Sequence, residues 1–304
     1  MKKALLALAM PAMLASACAV HVHEDAEEAV QEDTIEFKAT EVVPGLYTLE
    51  GVGGFGGGNI TLLTGEDKIV LIDDAMVPTA APLKTAAEEV AGRPVDFVIN
   101  THVHGDHVGG NALLQNGGSL VFAHDNIRKR LEADPTDAGG PDGLPVITFS
   151  DAVTFHVNDL SAYVFHVETA HTDGDAAILF EGANVLHAGD LFFHRLFPYI
   201  DLDNGGTVEG YIAGQELLLS MADEDTVILP GHGSIATKAG LQEDLEVLKD
   251  ARARVTRLVE DGKTIEEVLE INPLADFHDT YNWGFITTER MTRILFRGIS
   301  GEDS

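Results

Sequence analysis

Two kinds of segment alternate along the chain, and they differ in the spacing of their apolar and polar positions. Short runs rich in Val, Ile, Leu and Phe, bounded by Gly, Pro, Asn or Asp, are typical of strands, whereas Ala-, Leu- and Glu-rich stretches with longer periods are typical of helices. The predicted strands are 41–50, interrupted by Pro44-Gly45, and then 59–64, 68–73, 95–100, 120–123, 146–149, 152–156, 162–167, 176–180, 184–188 and 226–229. The predicted helices are 79–91, a short helix from Asn111, 208–221, 241–260 and two more within 265–299.

The strands and helices occur in two series, without close repetition of the residues. The helix 79–91 ends at Gly92, as helices commonly do, and 133–145 is rich in Asp, Gly and Pro and is expected to be a surface loop. The strands between 146 and 180 are expected to form a second sheet. The fold class predicted from this order is α/β.

Residue types that bind metals cluster directly after one predicted strand, in Thr-His-Val-His-Gly-Asp-His-Val-Gly-Gly. In an extended segment His102 and His104 point the same way, and Gly105 lets the backbone turn so that Asp106 and His107 face a second point. Histidine and carboxylate are ligands of zinc and of similar cations. A His-x-His pair alone would equally fit two exposed strand histidines, but the added Asp and His favour a loop that serves two metal ions.

Four ligands cannot complete two sites, and three further candidates occur later in the chain. His171 lies in Ala-His-Thr-Asp-Gly-Asp, Asp190 in Leu-His-Ala-Gly-Asp and His232 in Leu-Pro-Gly-His-Gly. With these motifs the chain resembles the metallo-β-lactamase superfamily of hydrolases, from about Val42 to about Leu258. The resemblance implies a four-layer αβ/βα sandwich whose metals lie at one edge, between two sheets.

The resemblance also implies a ligand set. An aspartate that bridges two ions is similar to the glyoxalase II, lactonase and phosphodiesterase branches, whereas the true metallo-β-lactamases that bind two zincs through a cysteine have that cysteine at this position. The first metal would be held by His102, His104 and His171, the second by Asp106, His107 and His232, and Asp190 would bridge them.

The chemistry implied by such a site is hydrolysis by a hydroxide shared between two Zn2+ ions, although iron or manganese also suits these ligands. Asp106 would orient the hydroxide and shuttle its proton, and Asp190 would fix the metal spacing. The leading expectation is an exported enzyme that opens a cyclic amide or ester, of the β-lactam or lactone type. The alternative is a thioesterase or ester hydrolase of the glyoxalase II kind. A protein that binds metal without turnover is an alternative of another class.

Three residues are candidates for substrate contact. Phe55 lies in a segment with six glycines in eight residues and is either the apolar tip of a flap over the metals or part of a flexible turn. Phe193 stands where family β-lactamases have a lysine that holds the substrate carboxylate, and Arg195, two positions on, is the candidate substitute.

The glyoxalase II alternative would use basic residues near the C-terminal helices. Arg290, Arg293 and Arg297 are spaced three and four apart, so they would share one helix face. They are either a glutathione-binding set or a solvated basic edge.

Composition and charge narrow the partners. The formal net charge of -31 disfavours a nucleic-acid partner, because phosphate contacts need Lys and Arg, of which there are 19. A single cysteine excludes a disulfide framework. A chain of 304 residues with 45% hydrophobic residues suffices for one sizeable α/β domain with a small appendage. The expected partner is therefore a small-molecule substrate, and the oligomeric state stays open.

The N-terminal residues predict export. Two lysines, an apolar run and Ala-Ser-Ala-Cys give residues 1–17 the parts of a secretory signal. Cys18 is either the lipidated first residue of a bacterial lipoprotein, which would attach the protein to a membrane, or the residue after plain cleavage at Ala17. We expect a periplasmic or exported protein. The predicted organisation is a signal at 1–17, an acidic tether at 18–40, a hydrolase domain at 41–262 and a C-terminal helical extension at 263–304.

Overall fold

The strands predicted from the apolar runs form two sheets in the computed structural model, which describes residues 35–301. The first sheet has seven strands in chain order: β1 (Glu36–Val43), β2 (Leu46–Val52), β3 (Ile60–Leu63), β4 (Val70–Ile72), β5 (Phe97–Ile99), β6 (Leu120–His124) and β7 (Ile147–Phe149). The second sheet has six: β8 (Ala152–Val157), β9 (Leu160–His166), β10 (Ala176–Glu181), β11 (Val185–Phe193), β12 (Val227–His232) and β13 (Ala236–Thr237).

The helices are α1 (Ala80–Ala91), α2 (Gly105–Val108), α3 (Asn111–Asn116), α4 (Asp125–Ala133), α5 (Val208–Met221), α6 (Lys238–Glu260), α7 (Ile265–Ile271), α8 (His278–Tyr281) and α9 (Thr288–Ser300). The predicted helices up to residue 260 begin and end close to their predicted positions, and the structure adds α2 and α4. Gly92 ends α1 in the left-handed region at φ 71°, where a residue without a side chain is favoured.

Alternating side chains give each sheet two buried faces. On β4, Ile72 belongs to the cluster between the sheets, whereas Leu71 packs with residues of α1 and α3. On β10, Ile178 belongs to the same central cluster, whereas Ala177 packs with residues of α5 and α6. Because neighbouring strand residues point to opposite faces, helices cover the outer face of each sheet. The predicted four-layer αβ/βα sandwich is confirmed.

The carboxyl ends of parallel strands from both sheets carry the candidate ligands. β4, β5, β6 and β7 are parallel neighbours in the first sheet, and β11 is parallel to β12 in the second. The loop after β5 holds residues 102–107, Asp190 lies in the last part of β11, and His232 ends β12. Ligand sites in α/β folds form outside such strand ends.

One prediction about the strands was wrong. The strand predicted at 146–149 for the second sheet is β7 of the first sheet, parallel to β6. Parallel neighbours need a crossover, and the crossover is α4, which the sequence analysis missed because only Ile127 and Leu131 of its nine residues are buried. Residues 36–40, which the prediction assigned to the tether, belong to β1, which begins at Glu36 and pairs with β2.

The C-terminal helices share a hydrophobic cluster with α5 and α6. Val268 of α7, Tyr281 of α8 and Leu295 of α9 pack in it with Tyr211 of α5 and Leu248 of α6. All described residues belong to one compact unit. The two helices predicted within 265–299 are therefore three, and they extend the layer that α5 and α6 form.

The predictions for the N-terminus fall outside the described residues. These are the signal at 1–17, Cys18 and the tether as far as residue 34. Within residues 35–301, no helix combines the length and the apolar composition that a membrane crossing requires.

Candidate metal centre

Three histidine rings and one carboxylate face a common point at the end of β5. His171 Nε2 lies 2.9 Å from His104 Nδ1, and Asp190 Oδ2 lies 3.4 Å from His171 Nε2 and 3.6 Å from His102 Nε2. His102, His171 and Asp190 are buried, and His104 is partly buried. Three ring nitrogens and one carboxylate oxygen form a donor set that suits a four-coordinate cation. This is the group predicted for the first metal.

A second group lies beside the first and shares Asp190 with it. Asp106 Oδ2 lies 3.3 Å from His232 Nε2 and 3.5 Å from His107 Nε2. Asp190 Oδ1 lies 3.3 Å from His107 Nε2, while Asp190 Oδ2 faces the first group and lies 3.5 Å from His232 Nε2. The carboxylate of Asp190 therefore stands between the two groups. All seven predicted ligands converge, and both His171 and His232 point inward.

Buried atoms without partners test whether these residues fit a cation. Among the described residues, His102 Nε2, His107 Nε2 and Asp190 Oδ1 are buried and accept or donate no hydrogen bond. An unsatisfied buried polar atom costs about 1–3 kcal/mol, so three such atoms in one place are unfavourable unless something binds them. A metal ion coordinated by these atoms would remove that cost, and the residues fit one.

Hydrogen bonds outside the two groups orient several of the rings. His107 Nδ1 lies 2.7 Å from Asp73 Oδ2, and Thr101 donates to the same carboxylate through its backbone N–H and its hydroxyl, at 2.7 and 2.8 Å. His171 Nδ1 donates to the carbonyl oxygen of Tyr199 at 2.6 Å. Each ring thereby keeps Nε2 free and aimed at the centre, as partners of metal-binding histidines usually ensure.

His104 is oriented by a longer chain of hydrogen bonds. Its Nε2 lies 2.8 Å from Asp201 Oδ2, which leaves Nδ1 facing the centre. Asn204 donates to Asp201 through its amide nitrogen at 2.7 Å, and its amide oxygen accepts from Arg130 at 2.7 Å. Arg130 also forms a two-pronged pair with Asp173. The sequence analysis missed Asp73 and Asp201, because no spacing in the chain links either residue to the histidine it contacts.

The two groups differ in electrostatic character. Burial lowers the pKa of His171 to about 4, so its ring is neutral and has a lone pair to offer. Burial also acts to lower the pKa of His232, but the carboxylates of Asp190 and Asp106 outweigh it and raise that pKa to about 9. The negative field that would hold a proton on His232 would equally attract a metal cation.

Two glycines allow the backbone to approach the centre. A Cβ on Gly231 would lie 2.0 Å from Asp190 Oδ1, and a Cβ on Gly58 would lie 2.5 Å from His107 Cε1. Both distances are far below van der Waals contact. Only residues without side chains fit here, which explains why Gly231 precedes His232 and why the glycine-rich segment reaches the centre.

A cavity of about 670 Å³ opens over the two groups. His104, Asp106, Asp190 and His232 form part of its lining at the metal centre, and we call these four side chains its floor. Apolar and aromatic side chains also line the cavity, and we call six of them the rim: Phe55, Val77, Phe193, Tyr199, Trp283 and Phe285. The cavity gives a substrate direct access to the predicted ligands.

The structure separates the three predicted substrate residues. Phe193 stacks on the His232 ring at 4.9 Å between centroids, and Phe55 stacks on the same ring at 6.0 Å. Arg195 is exposed and does not line this cavity, so the structure places it apart from the other two candidates. The chain turns after β11 with Arg195 at φ 57°, and the Arg195 N–H donates to Asp244 of α6 at 3.0 Å, which holds the residue away from the cavity.

The three C-terminal arginines do not form one binding set. Arg297 pairs with Asp203, and Arg293 pairs with Glu289. Arg290 lies over the rings of Phe285 and Tyr199, at 4.1 and 5.1 Å from their centroids. None of the three lines this cavity.

Trp283 and Phe285 are two of the rim residues that the sequence did not assign to the site. Trp283 lies 6.0 Å from the His232 ring and 6.1 Å from the Phe193 ring, and its indole N–H donates to the carbonyl oxygen of Phe197 at 2.9 Å. Nothing in the sequence near these residues indicates the contact, which arises only because α7–α9 fold back over β11.

Comparisons with known proteins agree with this architecture. The family model described as Metallo-beta-lactamase superfamily matches residues 53–232. A hydroxyacylglutathione hydrolase from a Polaromonas species is 31% identical over 153 residues, covering 49% of this chain and 53% of that protein. A hydroxyacylglutathione hydrolase from Methylococcus capsulatus is 32% identical over 120 residues, which cover 39% of this chain and 42% of that protein. The chain thus spans about half the length of these curated relatives.

The solved structures support the fold. A metallo-beta-lactamase from Pontibacter korlensis has a TM-score of 0.63 with 18% identity, and the match covers 71% of this chain and all of that one. At this identity the likeness concerns the fold alone. The family model, by contrast, spans more than half of the chain and includes every candidate ligand from His102 to His232. The chain therefore belongs to the metallo-beta-lactamase superfamily.

Proposed function

We propose that this protein is an exported hydrolase that uses two metal ions to open an ester-type bond, with lactones and related cyclic substrates as the leading class. His102, His104 and His171 would hold one ion, Asp106, His107 and His232 the other, and Asp190 would bridge them. The observation that carries the proposal is the place of Asp190, whose Oδ1 lies 3.3 Å from His107 Nε2 while Oδ2 lies 3.4 Å from His171 Nε2.

The bound ions would supply an activated water near neutral pH and would polarise the carbonyl of the substrate. The side chain of Asp106 lines the cavity and is 21% exposed, so its carboxylate can reach a water above the floor. There it can orient the water and accept its proton. Asp190 is 5% exposed and reaches both groups, and its role is to fix their separation.

A hydrolase of acyl-glutathione thioesters is the second candidate. It is supported by the two curated relatives named above, both of which are hydroxyacylglutathione hydrolases. Glutathione carries carboxylates, however, and none of the described residues that line the cavity is Lys or Arg. The uncharged rim therefore favours an ester or lactone. Zinc is the proposed metal, and iron and manganese are the alternatives for the same ligands.

The substrate class is tested with zinc-loaded full-length protein and three probes: an acyl-homoserine lactone, acyl-glutathione and the β-lactam nitrocefin. We expect chelator-sensitive hydrolysis of the lactone and slower hydrolysis of the other two. Faster hydrolysis of acyl-glutathione would select the second candidate. Tight metal binding without turnover of any probe would contradict both and leave a metal-binding protein.

Export is a separate part of the proposal and rests on residues 1–18. Cell fractionation of a bacterium that expresses the full chain tests it, with Cys18→Ser as the matched variant. We expect the protein outside the cytoplasm in both cases. Release of Cys18→Ser alone from the membrane fraction would indicate lipidation, whereas a cytoplasmic protein would contradict export.

A further inference from the structure

We infer that the rim selects uncharged, apolar acyl groups and excludes substrates that carry an anionic group, such as a free carboxylate, besides the bond that is hydrolysed. The inference rests on the proposed hydrolytic function and narrows its substrate class. Three observations support it: the rim is apolar, the described lining contains neither Lys nor Arg, and the chain has a formal net charge of -31.

The rim offers apolar surface that water touches. Phe55, Phe285 and Val77 are 55%, 48% and 49% exposed, although side chains of this kind are usually buried. They come from separate segments, the glycine-rich loop, the turn before α9 and the turn before α1, and they meet at one opening. Phe193 and Trp283 continue the apolar surface down to the His232 ring. An apolar group bound here would remove this surface from water.

The charged side chains that line the cavity are acidic. Asp106 and Asp190 belong to the metal centre, and Asp137 is the acidic residue at the mouth. The described lining contains neither Lys nor Arg. Arg290 is occupied by the Phe285 and Tyr199 rings and by a hydrogen bond from its Nη1 to the Phe285 carbonyl oxygen.

A substrate carboxylate would therefore lack a cationic side chain as partner among the described residues that line this cavity. Bound metal ions would place their positive charge at the floor, where the reacting carbonyl must sit. A carboxylate elsewhere on the substrate would lie among the aromatic rings. Moving a carboxylate into apolar surroundings without a partner is costly. The net charge of -31 adds long-range repulsion of anions.

A pair of esters with the same leaving group tests the inference. The 4-nitrophenyl ester of hexanoic acid and the 4-nitrophenyl hemiester of adipic acid have acyl chains of equal carbon number, and the second ends in a carboxylate. With zinc-loaded full-length protein we expect kcat/KM for the hexanoate to exceed that for the hemiadipate at least ~10-fold. The hemiadipate rate should rise with added salt, because salt screens the repulsion, while the hexanoate rate should change little.

A substitution at the mouth should weaken the preference. Val77→Lys places a cation on the lining, and Val77→Met is a matched control of similar length without charge. We expect the hexanoate-to-hemiadipate ratio to fall several-fold in Val77→Lys relative to Val77→Met. Arg290→Gln should leave the ratio unchanged, because Arg290 does not line the cavity.

The outcomes distinguish this inference from the proposed function. If neither ester is hydrolysed by metal-loaded protein, and neither is any lactone or thioester, the proposed function is wrong. If both esters are hydrolysed at equal rates, or the hemiadipate is faster, the hydrolase stands and the charge selectivity is overturned. A hemiadipate preference that Arg290→Gln abolishes would identify Arg290 as an anion-binding residue instead.

Discussion

The floor and the rim of the cavity are built in different ways. On the floor, His104 and His232 lie where strands of the two sheets end, and Asp201 holds the outer nitrogen of His104. On the rim, Phe55 and Phe285 come from loops and are about half exposed. The difference indicates that the strand ends fix the chemistry, while the loops are free to set the choice of substrate.

The rim itself is anchored unevenly. Trp283 donates a hydrogen bond to the Phe197 carbonyl oxygen and packs on Phe193, so the C-terminal side is held in place. Phe55 stacks on His232 from a glycine-rich segment, whose neighbouring residues Gly56 and Asn59 bond to Thr79 and Gly231. The backbone next to Phe55 is thus fixed, while the Phe55 side chain stays exposed to solvent.

The largest effect is expected from removing the carboxylate shared by both groups. In Asp190→Ala both ions lose a ligand, so zinc content should fall at both sites and hydrolysis should fall by at least ~1,000-fold. His171→Ala should empty chiefly the first site. Elemental analysis and rates on a lactone check this. Metal content equal to that of the unsubstituted protein in both variants would contradict the ligand assignment.

Gly231→Ala should lower zinc affinity and kcat almost as strongly, because the added methyl group would clash with Asp190. Its Cβ would lie 2.0 Å from Asp190 Oδ1, so the carboxylate must move, and a displacement of that size can cost about 100-fold in rate. Gly284→Ala is the matched control, because no heavy atom lies within 4 Å of its Cβ. Zinc affinity and kcat should fall in Gly231→Ala alone, and a normal zinc affinity would argue against close packing at Asp190.

Loss of Asp201 should weaken metal binding without touching the rim. The carboxylate orients His104 by a 2.8 Å contact, and removal of such a partner typically costs about 10–100-fold in metal affinity. We expect Asp201→Ala to show that loss in a zinc titration, with KM unchanged once zinc is saturating. Asp203→Ala serves as control, because Asp203 is exposed and pairs with Arg297. Equal affinities in the two variants would contradict a positioning role.

The smallest effect is expected at the rim. Phe285→Ala removes apolar surface from the mouth, so KM for an apolar ester should rise several-fold while kcat and zinc content stay nearly constant. Ile271→Ala is the control, because Ile271 is 50% exposed but does not line the cavity. A fall in kcat without a change in KM would mean that Phe285 acts on the floor and not on substrate binding.

Local patterns predicted the parts of the molecule that depend on local sequence. The loop 102–107 places four ligand types within six residues, and α5 begins and ends at the predicted residues because its apolar positions repeat with a helical period. The contacts of Asp73 with His107 and of Asp201 with His104 join residues 34 and 97 positions apart, so no local pattern indicates them. The position of Arg195 outside the cavity is also beyond local sequence, since it depends on a hydrogen bond to Asp244 of α6.

The central claim is that Asp190 joins two metal ions, and anomalous scattering from crystals of zinc-loaded protein tests it most directly. We predict two zinc peaks about 3.5–4 Å apart, and each ion should have a carboxylate oxygen of Asp190 within about 2.2 Å. A single peak, or two peaks of which Asp190 contacts only one, would contradict the claim.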